Sequence, residues 1–271
     1  MISLVQNQLH TYRENGYLLI REAFDCTRIE CLVGAIDNLI DRALDNAVEL
    51  DWIDRNLRLP RRMSHLLHPD KYHPTFGSWI DEDLAPQLSA LVPGDLRHSL
   101  FGMLTSGANQ PYFQKWHRDL VKPGTSDETS ILQRHKETFV QFNAPLTPSD
   151  RFLQIVPGSH LRASTTQEIA VSQNQDGNMP GIHIVELEPG DIVYYNANLW
   201  HRGWNPTGQT RLTFHCAFWN ANFPVMKHEF GQREQLTQKG HLEQLPPTTR
   251  RYIEKYLEVY PENAPPSLYD L

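Results

Sequence analysis

Apolar residues recur at helical spacing in the first part of the chain. After Asp25, a suitable N-cap, a long helix to about residue 48 has one apolar face, formed by Ile29, Leu32, Val33, Ile36, Leu39, Ile40, Ala43 and Leu44. This face predicts packing against a sheet. Weaker patterns predict, in chain order, helix 3–14, strand 17–20, a strand or loop over 59–70, helix 78–91 and helix 248–260.

The pattern changes from about residue 97 to short β-like runs separated by turn signals. These runs are 97–105, 112–119, 137–144, 152–156, 182–187, 191–196 and 210–219. Short strands at this spacing predict a sandwich or a double-sheet jelly roll. The polar, glycine-containing segment 161–181 predicts a mobile loop over a site.

The chain shows no internal repeat and no linker that would separate two domains. We therefore expect a single domain over residues 1–271, mainly β with flanking helices. Its predicted regions are a helical N-terminal region (about 1–95), a β core (about 96–220) and a helical C-terminal tail (about 221–271). The tail is compatible with either a lid or a homodimer contact.

Composition excludes several classes of function. With 39% hydrophobic and 21% charged residues, the 271-residue chain has the composition of a globular protein. A formal net charge of -7 argues against a nucleic-acid partner, which would need a basic face. No apolar run approaches the roughly 20 residues that span a membrane, and the N-terminus lacks a secretory pattern. The odd count of three cysteines favours the reducing cytoplasm.

Four His-x-acid triplets are candidates for half of a metal site, and context separates them. Pro69 disfavours a central strand for His68-Pro-Asp70, while His135-Lys-Glu137 is in a charged stretch and His241-Leu-Glu243 follows the β region. His117-Arg-Asp119 alone lies in an apolar, aromatic run. Alternate residues of a strand share a face, so this pair fits two ligands of a facial Fe(II) site. A hydrogen-bonded pair without metal remains the alternative.

A third ligand and an unusual arginine occur in residues 189–219. A buried strand delivers His201, and the next strand carries Arg211 and Thr213 on one face, predicted to be its antiparallel neighbour. An arginine inside a barrel is costly unless it is paired with an anion, and its planar fork matches a carboxylate. An organic diacid that chelates the metal and reaches Arg211 explains both features. The alternative is that Arg211 pairs with a surface Asp or Glu.

Several motifs together resemble one family. They are "YRENGYLLIREAF" with its following helix, His117-Arg-Asp119, "QIVPGSH" and "PGDIVYYNANLWHRGWNPTGQTR". Over about residues 8–220 the chain resembles the phytanoyl-CoA dioxygenase (PhyH) family of Fe(II)/2-oxoglutarate-dependent oxygenases. The resemblance implies a double-stranded β-helix (jelly-roll, cupin-like) core and O2 as a further cosubstrate. It implies that His117, Asp119 and His201 bind iron and that Arg211 binds the distal carboxylate of 2-oxoglutarate.

Two positions depart from the pattern of that family. An acidic-Asn-Gly segment often precedes the strand leading to "PGSH", whereas this chain has "SDRFLQ". Two residues after the distal histidine the family often has a hydroxyl residue, whereas this chain has Gly203. Asp119 retains the carboxylate that halogenating relatives replace with a small residue. The resemblance therefore implies hydroxylation, or another oxidation, of an aliphatic C–H of a small molecule, with release of succinate and CO2.

Further polar and aromatic residues are candidates for contacts with the two organic molecules. Gln141 and Thr213 are expected to contact the cosubstrate. The candidates for the substrate are Trp116, Arg151, Phe152, Trp204, Arg62 and His98. Nothing in the sequence selects the substrate. Two other hypotheses stay open: an iron cupin enzyme that needs no 2-oxoglutarate, such as an isomerase or oxidative cyclase, and a non-catalytic jelly-roll binding module.

Overall fold

Two antiparallel sheets form the centre of the protein in a computed structural model, which describes residues 4–174 and 177–271. Their strands, in chain order, are β1 (Tyr17–Ile20), β2 (Asp51–Asp54), β3 (Leu59–Met63), β4 (Leu96–Ser106), β5 (Tyr112–Phe113), β6 (Phe139–Pro145), β7 (Leu153–Ile155), β8 (His183–Ile184), β9 (Ile192–Tyr195), β10 (His201–Asn205) and β11 (Arg211–Asn220). The larger sheet has the order β1-β9-β6-β11-β4-β3-β2, and the smaller has the order β5-β10-β7-β8. The chain alternates between the sheets, as in a jelly roll. The predicted fold class is confirmed.

Helices flank the sheets. They are α1 (Gln6–Asn15), α2 (Cys26–Leu44), α3 (Pro74–Trp79), α4 (Ala85–Leu91), α5 (Glu128–Arg134), α6 (Thr166–Ser172), α7 (Arg233–Leu236) and α8 (Pro247–Glu258). A π-helical turn, Ile80–Leu84, joins α3 to α4, so the predicted helix 78–91 belongs to a longer helical run. None of the helices in the described ranges combines the length and apolarity that a bilayer crossing needs.

Local sequence signals mark where α2 begins and where α1 ends. The Asp25 carboxylate accepts a hydrogen bond from the Arg28 backbone N–H at 2.8 Å and caps α2. Helix α1 ends at Gly16, whose left-handed φ of 76° suits the cap position. The apolar face of α2 is buried in the main core, as predicted.

Aromatic residues build the core beneath the larger sheet. Trp79 packs against Phe214 of β11, with ring centroids 4.8 Å apart, and Phe101 of β4 contacts both rings. On the same sheet, α8 places Tyr252 against Phe218 at 5.5 Å. The C-terminal helix therefore covers one end of the sheet, and it lies away from the face that carries Arg211.

Strand β11 is the centre of the larger sheet and sets the register of its inner face. It pairs with β4 on one side and with β6 on the other. Thr213 lies opposite Leu104, and Leu104 lies opposite Arg62 of β3. Directly opposed residues of antiparallel strands present their side chains on one face. Arg62 therefore lies on the face that carries Thr213, although it comes from the N-terminal region of the chain.

Several predicted segments differ in the structure. Only Tyr112–Phe113 of the run 112–119 is a strand, and only His183–Ile184 of the run 182–187. The segment 161–181 was expected to be a loop, but it contains α6, which begins with a capping box of Thr165 and Glu168. Its residues 175 and 176 lie outside the described ranges. The N-terminal region supplies β1, β2 and β3 to the larger sheet as well as helices.

The prediction that the strands carrying His201 and Arg211 are neighbours is wrong. Strand β10 lies in the smaller sheet and β11 in the larger, and the two strands are not paired. Both residues line one cavity between the sheets. They thus meet across the jelly roll, with the turn that follows Asn205 carrying the chain from one sheet to the other.

Candidate metal centre

Three side chains converge at one end of the space between the sheets. The Oδ1 atom of Asp119 lies 3.3 Å from Nε2 of His117 and 3.5 Å from Nε2 of His201. One ligand atom from each residue lies within 4.8 Å of the other two. Among the residues that the structure describes, no other group of three His, Cys, Asp or Glu meets this spacing. Of the four His-x-acid triplets, only His117-Arg-Asp119 therefore belongs to such a group.

Backbone pairing brings the two histidines together. His117 and His201 form an isolated antiparallel bridge, in which each backbone N–H donates to the carbonyl of the other at 3.1 Å. His117 is thus held in an extended segment beyond β5, and His201 begins β10. The bridge replaces the continuous strand predicted over 112–119 and still directs both imidazoles to Asp119.

Hydrogen bonds to the backbone orient both imidazole rings. Nδ1 of His117 lies 2.8 Å from the Lys115 carbonyl oxygen, and Nδ1 of His201 lies 2.9 Å from that of Leu199. A carbonyl oxygen only accepts, so we assign the proton to Nδ1 in each ring. Each Nε2 then faces Oδ1 of Asp119. Metal-binding histidines in proteins are oriented in this way.

Charges around Asp119 keep it ionised. Burial raises the pKa of Asp119, but the charge of His201 and the hydrogen bond and charge of His117 act more strongly, and the net pKa lies well below its usual range. Gln141 adds a hydrogen bond from Nε2 to Oδ2 at 2.6 Å. Burial, followed by the charge of His117, lowers the pKa of His201 to about 4. The centre therefore offers one carboxylate and a neutral imidazole at neutral pH.

A buried arginine between the ligands anchors this segment. The guanidinium of Arg118 donates to the backbone carbonyls of Ser159 (2.8 Å) and Asn198. It also lies 3.3 Å from a carboxylate oxygen of Glu128, and both side chains are fully buried. Arg118 thus ties the extended segment to the turn of the "PGSH" motif and to the residues before His201. No feature of the sequence singled out this residue.

Arg211 lies on the same cavity and has an acidic partner. Its Nε donates to Oδ2 of Asp150 at 3.1 Å and lies 3.3 Å from Oγ1 of Thr213, and Thr213 also donates to Asp150. The alternative, in which Arg211 pairs with a surface Asp or Glu, is thus correct about an acidic partner, but that partner is a buried aspartate. Within the described residues of the chain, the terminal nitrogens of Arg211 make no hydrogen bond. They remain available to a ligand.

The cavity has a volume of about 130 Å³ and is lined by both sheets. The three convergent residues, Gln141 and Arg211 all line it. Most of its other lining residues were not assigned from the sequence; these are Leu104, Tyr112, Gln114, Asn143, Leu153, Tyr195, Gly203 and His215. Alternation along the strands carries some signal for them, because Asn143 and His215 face the interior in step with Gln141 and Arg211.

The family profile for phytanoyl-CoA dioxygenase (PhyH) matches residues 12–212, which contain all three convergent residues and Arg211. The chain belongs to the phytanoyl-CoA dioxygenase family. It is an oxygenase, and its cofactors are those of that family: Fe(II), 2-oxoglutarate and O2. A search of the curated proteins gave no match.

Several solved structures share the fold of this chain. AviO1 from Streptomyces viridochromogenes Tue57 is 21% identical, with a TM-score of 0.59 over 83% of this chain and 99% of that one. HygX from Streptomyces hygroscopicus, solved with nickel and 2-oxoglutarate, is 17% identical, with a TM-score of 0.63 over 85% and 95%. EctD from S. alaskensis, solved with iron, is 15% identical, with a TM-score of 0.62 over 83% and 79%. At these identities the similarity supports the jelly-roll fold.

The donor set of this family member fits Fe(II). Two imidazole nitrogens and one carboxylate oxygen on one side leave the other coordination positions to ligands, as in the facial triads of non-haem iron oxygenases. The Nδ1 hydrogen bonds and the Gln141 contact supply the outer support that such ligands need. Arg211, on the same cavity, fits the distal carboxylate of 2-oxoglutarate.

The residues proposed to contact the cosubstrate have protein partners in this family member. Gln141 holds Asp119, and Thr213 holds Asp150. Gln141 thus contacts a candidate metal ligand, and Thr213 contacts the acidic partner of Arg211, so any effect of either on the ligands would be indirect. At position 203, where relatives often carry a hydroxyl residue, there is a steric reason for glycine. A Cβ atom there would lie 2.8 Å from Cε1 of Tyr112.

The candidate substrate residues fall into three groups. Arg62 lines the metal cavity, and Phe152 lines an adjoining one together with Arg211. Trp116 and Trp204 enclose the guanidinium of Arg202 and are not among the described residues that line either cavity. Two further candidates lie elsewhere. Arg151 pairs with Glu186 on the surface, and buried His98 lies beside Gln232 and Tyr256 near α8.

Proposed function

We propose that this chain is an Fe(II)/2-oxoglutarate-dependent hydroxylase that oxidises an aliphatic C–H of a small molecule. One observation carries the proposal: His117, Asp119 and His201 converge on a cavity that Arg211 also lines. A metal site alone would suit many functions, whereas a metal site that shares a small cavity with an arginine matches a diacid cosubstrate. The support is geometric and chemical, and family membership agrees with it.

The three protein ligands have separate tasks. The Nε2 atoms of His117 and His201 and the Oδ1 atom of Asp119 would hold Fe(II). When bound, iron and 2-oxoglutarate supply the redox chemistry, in which O2 is consumed, the cosubstrate becomes succinate and CO2, and a substrate C–H is oxidised. Asp119 keeps the carboxylate at the third position, so no room opens there for a halide. This favours hydroxylation over halogenation.

Arg211 would bind and orient the cosubstrate. Its Nε is fixed by Asp150 and Thr213, which leaves the terminal nitrogens to donate to a carboxylate. Arginine pairs a carboxylate in a fixed plane and so sets both position and direction. Arg211 is only 6% exposed, so such a charge-assisted contact is little weakened by water.

Spectroscopy under anaerobic conditions tests the assignment. Addition of Fe(II) and 2-oxoglutarate to the wild-type protein should produce the visible metal-to-ligand charge-transfer band. His201→Ala should abolish the band, whereas His10→Ala, at an exposed position, should keep it. A flat wild-type spectrum would favour the non-catalytic binding module.

Succinate release then separates the oxygenase from an iron enzyme without a cosubstrate. With O2 and a small-molecule library, succinate should form in step with an oxidised product, one for one. A product that gains one oxygen atom would support hydroxylation. Product formation without added 2-oxoglutarate would overturn the assignment in favour of an isomerase or oxidative cyclase.

A further inference from the structure

Arg62 is a cation without a protein partner among the described residues, at the edge of the active site. Most arginines of the described chain hold a carboxylate or a backbone carbonyl; Arg61 next to it pairs with Asp51 at 3.0 Å. The guanidinium of Arg62 makes no hydrogen bond and no ion pair with any described residue. The chain has a net charge of -7, so carboxylates are not scarce. A shortage of carboxylates therefore does not explain why Arg62 has none as a partner among the described residues.

Arg62 stands where three cavities meet. It lines the metal cavity, the cavity that contains Phe152, and a third cavity of about 320 Å³. His215 lines both the metal cavity and the third one, so these two adjoin. The third cavity has the size of a small-molecule site. We name it the basic cavity. Its described lining residues are Arg62, Ser64, His65, Leu100, Phe101, Gly102, His215 and His228.

The lining of the basic cavity has a positive charge at Arg62 and no carboxylate among its described residues, while burial lowers the pKa of His65 and that of His215 and keeps these rings neutral. It contains an arginine and three histidines. Nδ1 of His215 forms a hydrogen bond with Oδ1 of Asn143 at 2.9 Å, and Nδ1 of His65 forms one with Oε1 of Gln232 at 3.0 Å. These rings are thus held in place as walls. Among the side chains that line it, the Arg62 guanidinium, the Ser64 hydroxyl and the His228 ring make no hydrogen bond with a described residue, and Arg62 and Ser64 lie close together in sequence.

The backbone brings Arg62 and Ser64 to the same cavity. Arg62 lies near the end of β3 and Ser64 directly follows the strand, and both residues line the basic cavity. The chain crosses β4 closely at this point, and a Cβ atom on Gly102 would lie 2.6 Å from the carbonyl oxygen of Met63. Glycine at 102 therefore permits the approach. His65, with a left-handed φ of 60°, then turns the chain away from the sheet.

We propose that the basic cavity binds an anionic group of the substrate, a carboxylate or a phosphate, through the Arg62 guanidinium and the Ser64 hydroxyl. This inference rests on the proposed function, since it assigns the substrate side of the same active site. An arginine fork with a neighbouring hydroxyl matches the several acceptor oxygens of either anion. A cationic substrate would be repelled by Arg62, and a neutral one would gain nothing from the charge of Arg62. The anion would place the rest of the substrate beside His215 and the metal cavity.

Matched small probes test the charge preference without knowledge of the substrate. Phenyl phosphate, benzoate, benzyl alcohol and benzylamine share an aromatic ring and differ in charge. Each is titrated calorimetrically into protein loaded anaerobically with Fe(II) and saturating 2-oxoglutarate, so that Arg211 is occupied. We expect at least one anion to bind about tenfold or more tightly than the alcohol. The stronger of the two anions identifies the group as phosphate or carboxylate.

Variants connect the preference to Arg62. Arg62→Met should weaken the anion about tenfold or more, Arg62→Lys should recover some of the loss, and Ser64→Ala should weaken it less. Arg134→Met is the matched control, because Arg134 is also exposed and without a hydrogen bond to a described residue. It should bind the anion like the wild type. Equal binding of the alcohol and the anions, or unchanged anion binding in Arg62→Met, would overturn the proposal.

The charge-transfer band separates this proposal from the proposed function. Arg62→Met should form the Fe(II)–2-oxoglutarate band with unchanged cosubstrate affinity. A tenfold loss of cosubstrate affinity would make Arg62 a 2-oxoglutarate contact and would overturn the proposal. If the wild type forms no band, the proposed function fails. Anion binding to the unloaded protein, and its loss in Arg62→Met, would then still decide the role of the basic cavity.

Discussion

Gln141 donates from Nε2 to Oδ2 of Asp119 at 2.6 Å, while the other carboxylate oxygen, Oδ1, lies between His117 and His201. The amide therefore selects which oxygen faces the metal position. Gln141 is held in turn by the register of β6, where it lies opposite Ala217 of β11 and Tyr195 of β9. A central strand of the larger sheet thus orients a ligand that comes from an irregular segment.

Gln141→Leu should lower the affinity for Fe(II) roughly 10- to 100-fold, the usual effect of losing a residue that supports a metal ligand. The leucine has a similar volume but cannot hold Oδ2 of Asp119. Anaerobic titration followed by the charge-transfer band measures the change. Gln235→Leu, at a partly exposed position in α7, is the control and should bind like the wild type. Unchanged affinity in Gln141→Leu would show that Asp119 needs no such support.

Metal binding should stabilise the folded protein. A ligand that binds only the native state adds about 2.7 kcal/mol to the free energy of unfolding at 100 times its Kd. Anaerobic thermal melts with and without Fe(II) should therefore show a higher Tm for the wild type with metal, reversed by a chelator. His201→Ala should show no metal-dependent shift, and His10→Ala should shift like the wild type. A shift that persists in His201→Ala would place the metal elsewhere.

Asp150→Ala should be strongly destabilising because it leaves the buried Arg211 without its acidic partner. Removing one partner of a buried ion pair costs about 3–5 kcal/mol. Glu186→Ala removes the partner of Arg151 in an exposed pair and should cost less than about 1 kcal/mol. Urea denaturation of both variants measures the difference. Similar costs for the two would mean that water reaches and compensates Arg211.

The free energy of unfolding should fall as the pH drops below about 6.5. Burial lowers the pKa of His98 to about 3, and burial followed by the charge of His65 lowers that of His68 to about 3. Burial also lowers the pKa of His160 to about 4. Between pH 6.5 and the lowered pKa of each histidine, the unfolded chain binds protons that the folded chain does not bind. Each histidine then removes up to about 1.4 kcal/mol per pH unit.

Urea denaturation between pH 7.5 and pH 4.5 measures this slope. His98→Asn keeps a donor for Gln232 and removes one titrating ring, so it should flatten the slope by about one histidine's share. His10→Gln, at an exposed position, should leave the slope unchanged. A slope that His98→Asn does not alter would mean that this ring is protonated in the folded protein.

Much of the jelly roll was predictable, because the alternation of apolar and polar residues is local. The helix with its cap at Asp25, most of the strands and the choice of His117-Arg-Asp119 among four triplets follow from residues close in sequence. His201 was found by its strand and its motif. The strand predicted over 112–119 is too long, because beyond Phe113 the segment forms only an isolated bridge to His201.

Contacts between distant residues carried no local signal. Asp150 is 61 residues from Arg211, and the sequence showed Asp150 only within a departure from the family pattern. Arg62 reaches the active site because β3 pairs with β4, and the residues near Arg62 in sequence give no indication of that pairing. Arg118 and Gln141 likewise find their partners through packing.

The sequence by itself determined the chemistry of this protein: two imidazoles, one carboxylate and an arginine, set in strands whose periodicity predicts a jelly roll. The tertiary structure alone decided how these groups are aimed. It placed His201 and Arg211 on opposite sheets, gave Arg211 a buried partner in Asp150, and left Arg62 without a described partner beside the metal cavity. The physical reason is that residue type and spacing set what a side chain can do. Strand order and register set which distant groups share a face, and that depends on the whole chain.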